Sequence, residues 1–284
     1  MNRLGTVPVG NTNPVRIMGI INSSPESFYK KSVHTEQREI ARVAKQMEED
    51  GADFIDVGGM STAPYLKTLV PEKTEIERIT KAVNAVQKVS CLPVSIDTCR
   101  AGVAKVAFGL GVDILNDVTG LKHDKDMTKV LEEYCPSVIV CAFSKESAYG
   151  NQVEQARKLL RRSISIAVKS GIPKSRIAVD PAIGFFRKSA KGIFFTKINS
   201  DWLKRDLDMI QNLKSIKLGQ PLLISVSRKS FIGSLLNEKD PDKRIYGSLA
   251  AEIIAVLNGA DIIRTHNVKA TCDAIEIARQ LRQI

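Results

Sequence analysis

Aromatic residues are scarce in this chain, 5% of 284, too few for an obvious platform on which nucleic-acid bases could stack. Long apolar runs are missing too. None reaches the roughly 18 residues needed to cross a bilayer. The first 22 residues, MNRLGTVPVGNTNPVRIMGIIN, lack the basic, apolar and small-residue layout of a signal peptide. Neither a membrane nor a nucleic acid is therefore expected as a partner. The five cysteines, Cys91, Cys99, Cys135, Cys141 and Cys272, are odd in number, and no two are spaced C-x-x-C. They read as reduced, mostly buried thiols of a cytoplasmic protein rather than a disulfide framework. Histidines number only three, and no His/Cys cluster suggests zinc. No G-x-G-x-x-G follows the first apolar segment, which argues against an open, doubly wound dinucleotide-binding sheet.

What the chain does have is positive charge, 42 basic against 31 acidic residues, and 43% hydrophobic residues. The bases are spread along helical stretches rather than gathered in one arm, a balance that suits small anionic substrates. Short apolar runs recur eight times: VRIMGIIN (15–22), DFIDVGG (53–59), PVSIDT (93–98), DILNDV (113–118), SVIVCAF (137–143), RIAVDP (176–181), PLLISVS (221–227) and DIIRTH (261–266). Helix-like segments lie between them, such as 35–51, 99–111 and 246–260. Several close with Gly-Ala-Asp or Gly-Val-Asp, the glycine cap and short turn that lead into the next strand. Continuous apolar strands alternating with helices predict a parallel sheet covered on both faces. Eight such units in one chain predict a single (β/α)₈ TIM barrel over residues 1–284, with 1–14 as a lead-in.

In that fold, function gathers at the C-terminal ends of the strands. Every predicted strand except the fifth carries a polar residue there: Asn22, Asp56, Asp97, Asn116, Asp180, Arg228 with Lys229, and Arg264 with His266. Any one Asp could simply cap a helix. Three carboxylates, two amides and several bases on one rim exceed what capping needs, and they suit a polar heterocycle with donors and acceptors around its edge. Arg264 and His266 are two apart, so both project from one face of their strand end.

The motifs MGIINSSPESF, GADFIDVGGMST, VSIDT, GVDILNDVTG, VDPAIGF, SRKSFIG, GSLAA and IIRTHNV, in order from about residue 15 to 275, resemble those of dihydropteroate synthases. That family implies a TIM barrel, usually a homodimer. Its reaction joins 6-hydroxymethyl-7,8-dihydropterin pyrophosphate to the arylamine p-aminobenzoate and releases pyrophosphate, with Mg²⁺ assisting. Matching positions imply pterin contacts from Asp97, Asn116, Asp180, Lys229 and Arg264. They imply pyrophosphate contacts from Asn22, Thr62, Arg264 and His266, and arylamine contacts from Phe28, Pro64, Phe185 and Ser230. Asn22 would be the Mg²⁺ ligand, and Lys229, Arg264 and His266 the catalytic group. No nucleophilic Ser or Cys is required, because the arylamine is itself the nucleophile and positioning plus charge stabilisation can carry the reaction. Arg228 is expected to hold the rim together through a carboxylate.

The chain departs from the family in its loops. Ala63 stands where the family carries an Arg in Ser-Thr-Arg-Pro, and Lys30 and Lys31 occupy a loop where the family has small residues. Arg187 replaces a Lys after VDPAIGF, and strand five ends in CAFSKESAYGN instead of a Met-His-Met type segment. Lys30, Lys31 or Arg187 is expected to stand in for the missing cation. The altered loops leave the acceptor open between p-aminobenzoate and a larger, acidic arylamine such as a phosphorylated ribosyl aminobenzene. A pterin-dependent methyltransferase domain and a non-catalytic pterin-binding protein are the competing readings.

Overall fold

The computed structural model describes residues 1–27, 29–63 and 68–282. A hairpin of β1 (Arg3–Leu4) and β2 (Val7–Pro8) opens the chain. Then come β3 (Arg16–Asn22), β4 (Phe54–Gly58), β5 (Val94–Asp97), β6 (Ile114–Asp117), β7 (Ser137–Cys141) and β8 (Ile177–Asp180). A short parallel pair, β9 (Phe186–Arg187) with β10 (Thr196–Lys197), interrupts the alternation before β11 (Leu223–Ile224) and β12 (Ile262–Thr265). The eight long-range strands pair in parallel in the order β11-β12-β3-β4-β5-β6-β7-β8. The ring closes where Val179 bridges Leu222 and the Val179 N–H donates to the Pro221 carbonyl at 2.9 Å. All eight predicted runs supply a strand of the predicted (β/α)₈ barrel.

The helices are α1 (Gln37–Glu49), α2 (Glu72–Gln87), α3 (Ala101–Gly109), α4 (Met127–Tyr134), α5 (Gln152–Lys169), α6 (Trp202–Gln211), α7 (Leu213–Ile216), α8 (Ser230–Leu235), α9 (Ile245–Leu257) and α10 (Val268–Arg282). Gly51, Gly111 and Gly259 have φ of +97°, +86° and +105°. They end α1, α3 and α9 with the left-handed cap that the Gly-x-Asp signature predicted.

Two apolar clusters flank the strands. The outer one packs strands against helices. The inner one takes Met18, Phe54, Ile114, Ile139, Ala178, Leu223 and Ile262 from seven strands, with Leu4 and Val9 pressed against them from the hairpin. Full burial of each such side chain contributes ~1.5–3 kcal/mol. Residues 1–14 thus do more than lead in: they plug the N-terminal mouth of the barrel. Sealing that end leaves the C-terminal mouth as the one where polar strand residues meet.

Two expectations need correction. Strand seven is shorter than PLLISVS suggests, because the chain leaves the ladder after Ile224, and Arg228 adopts a left-handed φ of +58°. The thiols are all free, but only Cys99 and Cys141 are buried, while Cys91 is exposed.

Candidate active site

A cavity at the C-terminal mouth is lined by Asn22, Thr62, Asp97, Asn116, Asp180 and Lys229, with Phe185, Arg264 and His266 among its other walls. Its floor is cross-linked. Arg264 comes from β12 and reaches across the barrel, where its Nε donates to Asp56 Oδ2 at 2.6 Å and its Nη2 to Asp97 Oδ2 at 2.9 Å. Asn116 Nδ2 donates to the same Asp56 oxygen at 3.1 Å. Charge-assisted bonds of this kind fix side chains before any ligand arrives. Asp56 is fully buried and does not line the cavity; it anchors Arg264 and Asn116.

The floor leaves acceptors unused. Asp97 Oδ1 is buried and has no hydrogen-bond partner. Asp180 Oδ1 accepts from the Ala182 N–H at 2.6 Å, which leaves Oδ2 open. Lys229 is the matching donor. Its Nζ donates to the Ile183 carbonyl at 2.5 Å and lies 5.0 Å from the centre of the Phe185 ring. Gly184, at φ +91°, lets the lysine stem pass, since a Cβ there would come within 3.1 Å of Lys229 Cδ. Burial pulls the Lys229 ammonium down to about 8, against the attraction of Asp180. Burial pushes Asp180 up, with Lys229 opposing. Asp97 is pushed up to about 7 by burial, with Arg264 opposing and the Asp56 carboxylate adding to the rise. Such groups, strongly perturbed and converging in one cleft, mark functional sites.

The rim is organised differently. Asn22 Nδ2 donates to Ser32 Oγ at 2.8 Å, and that hydroxyl donates to the Tyr29 carbonyl at 2.8 Å. The Asn22 amide is therefore oriented, with its oxygen uncommitted among the described residues. His266 Nδ1 lies 3.0 Å from Ser227 Oγ, and the imidazole meets the Tyr29 ring edge-on at 5.0 Å. Burial and three neighbouring cations, Arg264, Arg228 and Lys229, hold His266 well below the usual histidine range.

Residues 18–266 match the family model for pterin binding enzymes. The chain is 35% identical to the dihydropteroate synthase of Clostridium beijerinckii over 89% of this chain and 88% of that protein. The chain belongs to the dihydropteroate synthase family. Two solved dihydropteroate synthases share its barrel. The enzyme of Clostridium difficile, determined with pteroic acid, is 31% identical with a TM-score of 0.83 and full coverage of both chains. That of Xanthomonas albilineans, determined with 4-aminobenzoic acid, is 29% identical with a TM-score of 0.83, covering 96% of this chain and 94% of that one. Dihydropteroate synthases are transferases that act on small molecules, and the methyltransferase reading falls away.

Of the residues expected from sequence, Asn22, Thr62, Asp97, Asn116, Asp180, Phe185, Lys229, Arg264 and His266 share the one cavity. Phe28 and Pro64 lie outside the described residues. Ser230 does not line the cavity; it opens α8, and its Oγ accepts from Arg187 Nη2 at 2.9 Å. The expected stand-ins for the missing cation are all engaged elsewhere. Lys30 Nζ donates to the Pro25 carbonyl at 2.5 Å, Lys31 pairs with Asp242 at 2.8 Å, and Arg187 also bonds Asp206 at 3.4 Å. Arg228 holds the rim, as expected, but not through a carboxylate. It donates to the carbonyls of Pro241 and Asp242 and to Asn267 Oδ1, and stacks on Tyr29 at 4.3 Å. Its left-handed backbone breaks the strand alternation on which the expected partner rested.

Sequence reasoning gave no role to Ser225 and Ser227, which also line the cavity. Their signal was present: Leu223, Ser225 and Ser227 are two apart, so an inward Leu223 implies two inward serines.

Proposed function

We propose that the protein condenses 6-hydroxymethyl-7,8-dihydropterin pyrophosphate with p-aminobenzoate or a related arylamine, releasing pyrophosphate. The observation that carries this reading is the donor–acceptor layout of the cavity floor. Asp97 and Asp180 offer carboxylate oxygens to the N–H groups of the pterin guanidine edge. Asn116, its NH₂ tied to Asp56, offers an amide oxygen. Lys229 is the cation for the pterin carbonyl and ring nitrogen. A buried acceptor such as Asp97 Oδ1 without a partner is costly unless a ligand supplies the donor.

The reaction breaks the bond between the pterin methylene and the diphosphate oxygen and forms a bond from the arylamine nitrogen to the same carbon. That nitrogen then loses a proton. Negative charge grows on the departing pyrophosphate at the rim. Arg264 faces it with an Nη1 that its carboxylate partners leave uncommitted. His266 serves there as a hydrogen-bonding group. Phe185 supplies apolar wall for the arylamine.

Mg²⁺ fits this site in one way. No group of three or more His, Cys, Asp and Glu among the described residues could hold a metal. The oriented Asn22 oxygen suits a single protein ligand to an ion that keeps its waters and phosphate oxygens. Bound there, Mg²⁺ would neutralise charge on the diphosphate. The partner reading is a homodimer. It is supported by apolar side chains left exposed on neighbouring helices: Leu235 and Leu236 at the end of α8, Tyr246 and Ile254 on α9, Ile277 and Leu281 on α10. No helix among the described residues is long and apolar enough to cross a membrane, and a cytoplasmic location is part of the same proposal.

The test is to incubate the protein with the pterin pyrophosphate and each candidate arylamine and follow pyrophosphate release. Release with p-aminobenzoate is the expected result. Pterin binding without release under any arylamine would overturn the catalytic reading in favour of a binding protein.

A further inference from the structure

Helix α6 carries two charges on its buried face. Its core stripe runs Trp202, Arg205, Asp206, Met209 and Ile210, the i, i+3, i+4, i+7, i+8 spacing at which apolar residues belong. Arg205 and Asp206 are nonetheless almost completely buried, at 1% and 0% exposure. An ion pair in that position is costly to desolvate and is often replaceable by apolar residues without loss of stability. Its partners show what it does instead.

Arg205 Nη2 donates to the Pro181 carbonyl at 2.6 Å, and Nη1 donates to the Ala182 carbonyl at 3.1 Å and to Asp206 Oδ1 at 3.2 Å. Asp206 Oδ1 also accepts the Gly184 N–H at 3.0 Å. The same short segment donates its Ala182 N–H to Asp180, and its Ile183 carbonyl receives Lys229. The polar backbone groups from Pro181 to Gly184 are thus held mainly by four charged side chains, two in the cavity and two on α6. Ala182 sits at φ +57°, a left-handed conformation that a residue with a Cβ keeps only when its surroundings impose it. The Arg205 guanidinium also stacks on Phe186 at 3.8 Å, directly after Phe185 of the cavity wall. Neither Arg205 nor Asp206 lines the cavity itself.

We propose that Arg205 and Asp206 are positioning residues for pterin recognition: they set the shape of the Pro181–Gly184 turn, and through it the placement of Asp180 and Lys229. This rests on the pterin reading of the cavity. Arg205 shapes the carbonyl side of the turn and Asp206 its N–H side. A turn that relaxed by a fraction of an ångström would misdirect both the carboxylate and the ammonium, whose bonds to the pterin edge depend on direction.

The test compares Arg205→Lys, Asp206→Asn and the double apolar variant Arg205→Met/Asp206→Leu with the unmodified protein. Binding of 6-hydroxymethylpterin is measured by calorimetry, thermal unfolding is recorded beside it, and kcat and the KM for p-aminobenzoate are taken from pyrophosphate release. Arg205→Lys keeps the charge but cannot bridge two carbonyls in a plane. Its expected result is a folded protein with pterin affinity lowered about tenfold or more, and an unchanged KM for the arylamine. Asp206→Asn keeps an acceptor for Gly184 and is expected to lose less. The double variant removes both charges of the pair at once but leaves Arg187 without its Asp206 partner, and it is expected to bind pterin worst of the three. Folded variants with unaltered pterin affinity would overturn the proposal and leave the pair a purely structural one. Should Arg205→Lys and the double variant fail to fold, unchanged affinity in Asp206→Asn would overturn it alone. Absence of pterin binding by the unmodified protein would instead strike the functional reading.

Discussion

The floor and the rim of the cavity are built by opposite strategies. On the floor, side chains are buried and bonded to one another across the barrel: Arg264 to Asp56 and Asp97, Asn116 to Asp56, Asp180 and Lys229 to the turn between them. At the rim, cations that could have met an anion are bonded outward. Lys31 pairs with Asp242 while its side chain is 71% exposed, and Lys30 meets a backbone carbonyl of its own loop. Preorganised contacts give affinity and direction with little reorganisation when ligand arrives. Exposed pairs contribute little and are screened by salt. The floor should therefore be intolerant of single changes and the rim tolerant, and each experiment below strains that contrast.

The largest effect is expected from Asp180→Asn. A charged hydrogen bond contributes ~1.5–3 kcal/mol, and the new amide turns an acceptor into a donor facing a donor. Pterin binding measured by calorimetry should be nearly abolished. Unchanged affinity would remove Asp180 from the site and with it the claim that the floor is the pterin edge.

A pH series probes the same floor without mutation. Burial lowers Lys229 to about 8 in the free protein, and a pterin carbonyl favours its charged form. Between about 7, above which Asp97 is ionised, and about 8 the free site already carries the Lys229 proton, so affinity should be level there. Below about 7 protonation of Asp97 should weaken it. Above about 8, binding must take up a proton, and affinity should fall about tenfold per pH unit. A level affinity through that range would mean that Lys229 does not donate to the pterin as a cation.

The same contrast governs how much was legible in the sequence. The barrel was readable because each strand is a short apolar run and several helices, α1, α3 and α9 among them, end in a glycine cap. The polar strand ends Asp97, Asn116, Asp180, Lys229 and Arg264 were readable because one rule, chemistry at the C-terminal mouth, applies to all of them. Arg228 was half readable: its neighbour Lys229 and its duty at the rim were clear, but its left-handed backbone was not, since a local conformation imposed by α9 and the Pro241 segment leaves no periodic trace. The surroundings of Ser230 were hidden for a similar reason. The hydroxyl looks available until Arg187, distant in sequence, is seen to bond it. Arg205 and Asp206 could have been found from the helical stripe alone, as two charges where the period calls for apolar residues.

Asn22→Ala moves the contrast to the rim. The amide is oriented by Ser32 but touches no part of the floor. Pterin affinity without diphosphate should be unaltered, while affinity for pyrophosphate in the presence of Mg²⁺ should drop on the order of tenfold if the amide oxygen is the one protein ligand. A loss of pterin affinity as severe as that of Asp180→Asn would place Asn22 at the wrong end of the cavity.

The smallest effects are expected at Ala63 and the loop lysines, where the family's Arg is missing. Thr62 and Ala63 line the cavity, and neither Lys30, Lys31 nor Arg187 does so among the described residues. With those cations engaged elsewhere, in the proposed reading the rim meets the diphosphate mainly through Arg264, His266 and the Asn22 side. Ala63→Arg adds a cation beside a polyanion, and one charge-assisted contact of ~1.5 kcal/mol is about tenfold in the step that feels the charge. Because Ala63 is only 8% exposed, some of that gain is lost to crowding, and a rise of a few-fold to about tenfold in pyrophosphate affinity is expected. Lys30→Ala and Lys31→Ala should leave pyrophosphate release unchanged. Arg187→Ala should act through Asp206 and Ser230, lowering stability or the pterin end rather than diphosphate affinity. The four variants are compared side by side for pyrophosphate release and pyrophosphate binding. If either lysine variant loses activity while Ala63→Arg gains nothing, the loop moves to bring that lysine over the diphosphate when substrate binds. The rim would then be a device that assembles on the ligand, and the contrast with a rigid floor would be one of timing rather than of tolerance.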